Sequence, residues 1–296
     1  MKRTLIVILV LAMAAMGAAA EMLNPEAVAM EKAELPGGIR LTLGEPVSAD
    51  VDSDGMEEQI LCTMEPEEEY GQLRVTLTAS DGEVCAYDTG VVFGGEGWIA
   101  DINGDGQMEI FTWGDVMSSD YYTTCLHYVD HHLRPTLFAD VERGENGSGY
   151  FKAGYGFLMG ADAKAGTVML CGSQDMAGTW FGSRVLKLSG DGLFEIADDG
   201  WWVRQDLAGG DEDWGEYRCK TLLTDVHCRI DGKEDMLKAG EKVNITGTDK
   251  HLQAGFVTGD GRTGILPIDR NFDAGWGWKI DGIPEEEVFD FLGYAD

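Results

Sequence analysis

The sequence predicts an all-β protein, and three observations carry that prediction. Short runs rich in β-branched and aromatic residues recur every ten or so positions. There are 41 glycines against 7 prolines, many of the glycines in Asp-Gly or Gly-Asp pairs that mark turns between strands. An acidic Asp-x-Asp/Asn-x-Asp-Gly loop occurs twice, the copies starting 51 residues apart at Asp50 and Asp101.

The chain opens with Met1, Lys2 and Arg3, continues in an apolar run from Leu5 to Met13, and reaches Ala18-Ala19-Ala20. A cationic start, a short apolar stretch and small residues before a cut predict a signal peptide over 1–20. The mature chain then begins near Glu21, and no later segment is long and apolar enough to span a membrane. Residues 21–37 read as a lead-in, either a short helix with Asn24 as cap and Pro25 at its first position or a loose segment.

From Ile39 to Val203 the runs RLTL, QILCTM, LRVTLTA, EVCAYDT, EIFTWG, TCLHYV, YGFLMG, TVMLCG, SRVLKL and LFEI predict short antiparallel strands, which sets a first domain at 38–203. Residues 204–215, acidic and glycine-rich, read as a linker. A second β segment opens a domain at 216–296, whose end, IPEEEVFDFLGYAD, predicts an amphipathic helix. Pro284 would start it, acidic residues would fill its first turn, and Val288, Phe289, Phe291 and Leu292 would form its apolar face.

Composition narrows the function. With 53 acidic and 22 basic residues the net charge is -31, which excludes nucleic acid and anionic membranes as partners held by bulk electrostatics and favours cations. A hydrophobic content of 44% marks a folding chain and not a disordered acidic tail. Six cysteines, Cys62, Cys85, Cys125, Cys171, Cys219 and Cys228, are compatible with disulfides in an exported protein or with free thiols. Cys219 and Cys228, flanking a Thr224-Asp225 turn, are the best-placed pair.

The acidic loops carry the chemistry. In the first, Asp50, Asp52, Asp54 and Glu58 occupy positions 1, 3, 5 and 9, with Gly55 at position 6. In the second, Asp101, Asn103, Asp105 and Glu109 occupy the same positions, with Gly106 at 6. This spacing wraps hard oxygen ligands around one cation, and calcium suits an all-oxygen shell. An EF-hand needs Glu at position 12, where Leu61 and Thr112 stand instead, and the flanks are strands.

Strand–loop–strand with Glu at position 9 resembles the FG-GAP or VCBS repeats of bacterial β-propellers and integrin-type heads. The resemblance covers about 38–200 and implies a propeller-like repeat domain whose loops hold calcium. YGFLMGADAKAGTVML is similar to a third, eroded copy. It keeps Asp162 at position 1 but has Lys164 and Gly166 where carboxylates belong, so no metal is expected there.

The second β segment, about 216–280, resembles a small bacterial Src-homology-3-like barrel. The stretches that carry this run from Leu237 to Asp249 and from Ala254 to Ile265, with Gly240-Glu241 before a strand and an Asp260-Gly261 turn. Ile265 stands where that family usually has an aromatic residue. The resemblance implies engagement of cell-wall peptides.

Three other groupings are weaker. Cys125, His127, Asp130, His131 and His132 crowd one stretch, but strand alternation prevents most of them from sharing a zinc ion. No Gly-x-Ser-x-Gly elbow occurs. Trp201-Trp202 and Trp276-Gly277-Trp278 suit a core better than a sugar-stacking platform. The expectation is a secreted or envelope-associated, non-catalytic calcium-binding module for an extracellular polymer or protein ligand, peptidoglycan being one candidate. The alternative is a secreted hydrolase acting on cell-wall or dietary polysaccharide.

Overall fold

The computed structural model describes residues 28–29, 38–67, 70–117, 120–140, 149–189, 192–197, 200–205, 207–208, 219–270 and 277–293. The predicted signal peptide, nearly all of the lead-in, most of the linker including 209–213, and Trp276 lie outside them. The structure is nearly all β with antiparallel sheets. Each of the ten predicted runs overlaps an observed strand. Within the lead-in, Val28–Ala29 is extended and pairs in parallel with Leu207–Ala208, so a helix does not cover that part.

The described residues fall into two compact units. The larger holds 32–174 and 181–201, and the other holds 175–180 and 202–294.

The larger unit contains three four-stranded meanders. The first runs Pro46–Ala49, Glu58–Glu67, Tyr70–Thr78 and Val84–Val92, each strand antiparallel to the next. The second runs Gly94–Ala100, Glu109–Met117, Asp120–Val129 and His132–Pro135, again antiparallel throughout. Ile39–Leu41 adds to its first strand. The third runs Phe157–Asp162, Thr167–Gln174, Trp180–Leu188 and Leu193–Ile196. Leu137–Asp140 joins its last strand in parallel.

The second meander is buried on both faces, because successive side chains of a strand point to opposite sides. Ile99, Ile110 and Leu126 enter one core with Leu41, Ile60, Cys62, Leu73, Val75 and Leu77 of the preceding strands. Trp98, Ala100, Phe111 and Cys125 enter the other with Phe138, Leu158, Leu170, Leu186 and Phe194. This explains the unbroken apolar character of Ile110-Phe111. Tyr70–Thr78 has one buried face, and its burial alternates strictly, with Leu73, Val75 and Leu77 inward.

In the other unit, Lys242–Thr248, Gln253–Thr258 and Thr263–Arg270 form an antiparallel meander. The hairpin Val226–Ile230/Lys233–Leu237 joins the last of these. Trp278–Ile280 adds to the same strand, and Trp278 is fully buried. Trp202 is buried too, so neither tryptophan is available as a stacking surface.

Two expectations are corrected in this unit. The terminal helix is confined to Glu285–Val288, and Phe289 is already extended, with φ -111° and ψ 143°. Bonds to distant segments flank it at both ends. The Glu285 carboxylate accepts from Trp278 N at 2.8 Å and from Ala177 N at 2.7 Å, and Phe289 bridges to Leu222. Of the predicted apolar face, Val288 and Phe289 are buried while Phe291 is exposed. All six cysteines are free. Cys219 pairs across the sheet with Asn244 and Cys228 with Asp235, so the two do not face each other across a hairpin.

Candidate metal loops

Each acidic loop closes the first hairpin of its meander. The first joins Pro46–Ala49 to Glu58–Glu67, and Ala49 pairs with Glu58. The second joins Gly94–Ala100 to Glu109–Met117, and Ala100 pairs with Glu109. Asp162 and Thr167 close the corresponding hairpin of the third meander with a shorter turn that includes Lys164 and Gly166. There Asp162 Oδ1 accepts from Lys164 N and Ala165 N, at 3.0 and 3.1 Å.

The two loops share one internal hydrogen-bond pattern. The position-1 carboxylate accepts from the N–H of position 6: Gly55 N to Asp50 Oδ2 and Gly106 N to Asp101 Oδ2, both at 3.0 Å. Position 3 accepts from the N–H of position 5: Asp54 N to Asp52 Oδ1 at 3.2 Å and Asp105 N to Asn103 Oδ1 at 2.9 Å. Position 5 accepts from the N–H of position 7: Met56 N to Asp54 Oδ1 at 2.7 Å and Gln107 N to Asp105 Oδ1 at 2.8 Å. Position 9 accepts from the N–H of position 2: Val51 N to Glu58 Oε2 at 3.0 Å and Ile102 N to Glu109 Oε2 at 2.9 Å.

Sequence explains each part. Position 6 lies at φ 87° in Gly55 and 92° in Gly106, a region glycine enters without strain. Position 2 is apolar because its side chain is anchored below the loop: Val51 and Ile102 are each 1% exposed. Position 9 is the first residue of the second strand, so its carboxylate is buried, Glu58 at 2% exposure and Glu109 at 0%.

Burial of these carboxylates is costly. Desolvation raises the Glu58 pKa above the ordinary range, the Val51 N–H opposes it, and Asp52, Asp54 and Asp50 push it up further. Glu109 is pushed up to about 7, by burial first and then by Asp105 and Asp101. Its Oε1 is buried with no hydrogen-bond partner. His127 Nδ1 is 3.7 Å away, and burial lowers the pKa of that imidazole. An ionisable oxygen enclosed this way is stabilised by a positive group in the loop.

The residues of the first loop fit a hard divalent cation. In the first loop Asp50, Asp52 and Glu58 each bring an oxygen within 4.8 Å of the others, and Asp54 is not in that group. Asp101, Asp105 and Glu109 do not converge in this way. In that loop Asn103 Nδ2 donates to Asp105 Oδ2 at 2.9 Å and occupies it.

The histidine stretch does not assemble as a metal site. Cys125 is buried in the core, while His131 and His132 lie exposed around a turn. His131 instead meets Asp81 and Glu83, an exposed group from another hairpin that sequence reading missed. Also missed were the contacts between the two acidic loops, because Ser53 and Gly106 are 53 residues apart and no local pattern announces their meeting.

No helix among the described residues is long and apolar enough to cross a membrane. No family model, curated protein or solved structure matches the chain.

Proposed function

We propose that this chain is a secreted, non-catalytic module that binds calcium through Asp50, Asp52, Asp54 and Glu58 and through Asp101, Asn103, Asp105 and Glu109, and that serves binding in the extracellular space or at the cell envelope. In this reading the three meanders are propeller-type repeats and 216–296 is a Src-homology-3-like domain with a C-terminal helix. One observation carries it. Two loops at equivalent hairpins repeat the same four hydrogen bonds, with glycine at the strained position and a buried carboxylate at position 9. Calcium supplies charge neutralisation at that point, and the oxygen donors of the loops would hold it.

The test is thermal unfolding of the purified chain in calcium, in magnesium and in chelator. Calcium is expected to raise the melting temperature. Magnesium should do so less, since it prefers octahedral sites with retained water. Calcium at a hundredfold over its dissociation constant adds about 2.7 kcal/mol per site. Asp52→Ala and Asp105→Ala should each remove part of the gain. Identical curves in calcium and chelator would overturn the proposal.

The envelope role has its own test. So acidic a chain is repelled by anionic wall polymers unless a cation bridges them. Retention on purified peptidoglycan is therefore expected with calcium and not with chelator. Equal recovery in the supernatant under both conditions would discard peptidoglycan as the partner.

A further inference from the structure

The two acidic loops touch. Ser53 Oγ donates to the Gly106 carbonyl. Met108 N donates to the Val51 carbonyl at 3.0 Å. Both bonds involve residues that already serve a carboxylate. Val51 gives its N–H to Glu58 and its carbonyl to Met108, the neighbour of Glu109. Gly106 gives its N–H to Asp101 and its carbonyl to Ser53, which sits between Asp52 and Asp54. Two short chains of contacts therefore run from the ligand set of one loop to that of the other. Both chains pass through single residues. The Val51 side chain is buried in the core, while Ser53 and Gly106 are exposed, at φ 60° and 92°.

The loops are unequal. Three carboxylates converge in the first, and in the second Asp105 is tied to Asn103. An independent sign that the second loop is incomplete is the Glu109 Oε1 oxygen, wholly buried and without a hydrogen bond.

We propose that the two loops form one coupled cation unit, in which the first loop fills first and its filling raises the affinity of the second for the same divalent cation. The proposal rests on the calcium reading above. Filling the first loop fixes Asp52, Asp54 and Glu58, and with them Ser53 and Val51. Gly106 and Met108 are then held before the second cation arrives, so the second loop loses less conformational freedom on binding. The opposing effect is repulsion between the cations. It is limited because the first loop carries four carboxylates and stays negative with one divalent cation in it.

The experiment is a calorimetric calcium titration of the full chain, stripped with chelator, in physiological salt. Two sites of unequal affinity are expected, with a coupling factor of at least about fivefold between them. Asp52→Asn should weaken the second loop by that factor. Asp105→Asn should weaken the first loop by the same factor, since coupling is reciprocal. Ser53→Ala touches no calcium ligand, and it should keep both sites while bringing the factor toward 1. Ser53→Gly, which also removes the hydroxyl and suits φ 60°, repeats the test if the alanine variant folds poorly. Two independent sites, with Ser53 variants indistinguishable from the parent, would overturn the coupling and leave the calcium reading standing. Absence of calcium uptake would overturn both.

Discussion

Glu109 and Lys220 are each enclosed at a charge-disfavouring position, and they make opposite predictions. The Glu109 carboxyl is pushed up to about 7 from 4.5, so the folded chain keeps its proton longer than the unfolded chain does. Stability from this group is fully present below pH 4.5 and is lost as pH rises through about 7. Above that range and in chelator, Glu109→Gln is expected to stabilise by about 1–3 kcal/mol. In saturating calcium the same variant should gain less from the cation than the parent does. Thermal unfolding at pH 8 in both conditions checks it. Lys220 is 5% exposed, donates to the Phe291 carbonyl at 3.0 Å, and is held down to about 8 by burial first and by Arg204 second. The unfolded lysine keeps its proton to 10.5, so the unfolded state binds more protons between 8 and 10.5 and stability from this group rises with pH there. Lys220→Met should flatten that rise in denaturant titrations made across the range.

At the level of the element, glycines separate strain from packing. Gly55 sits at φ 87° with open space where a Cβ would go. Gly55→Ala therefore reports backbone strain alone, expected at about 1–2 kcal/mol. Gly114 has an ordinary φ, but a Cβ there would lie 2.5 Å from Val92 Cγ1 and 2.7 Å from the Gly94 carbonyl oxygen. Gly114→Ala is expected to cost about 1–3 kcal/mol through overpacking. Equilibrium unfolding of both variants in chelator tests this. The strands of this region were legible in sequence because their alternation is local. The start of the terminal helix was legible too, and its short length was not. Pro284 and three glutamates favour a helix start, yet Glu285 is drawn to Trp278 and Ala177, and Phe289 to Leu222, by contacts no local window contains.

On the scale of the whole molecule, the unit that contains 202–294 also contains Asp175–Trp180. Asp175 accepts from Arg270 Nη1 at 3.0 Å and from Trp278 Nε1 at 3.2 Å, and the Arg270 guanidinium lies 3.9 Å over the Trp278 ring. Thr179 N donates to the Gly293 carbonyl at 2.8 Å. A fragment of residues 216–296 lacks that segment and leaves the buried Glu285 carboxylate short of the Ala177 N–H. It is expected to be less stable than the same unit within the full chain. Denaturant unfolding of the fragment and of the full chain carrying Asp175→Ala checks this, and a fragment as stable as the parent unit would show that the segment contributes nothing.

The sequence by itself determined the β class, most strand positions and the internal design of each acidic loop. Those features depend on residues within about ten positions of one another: alternation, turn glycines, and oxygens spaced around one point. Tertiary structure decided what lies beyond that range. It placed the two loops in contact through Ser53 and Gly106, enclosed Glu109 beside His127, kept Cys219 from Cys228, and stopped the final helix after one turn. Each of those outcomes depends on which distant segment lies beside a residue, and no local pattern in the sequence names that segment.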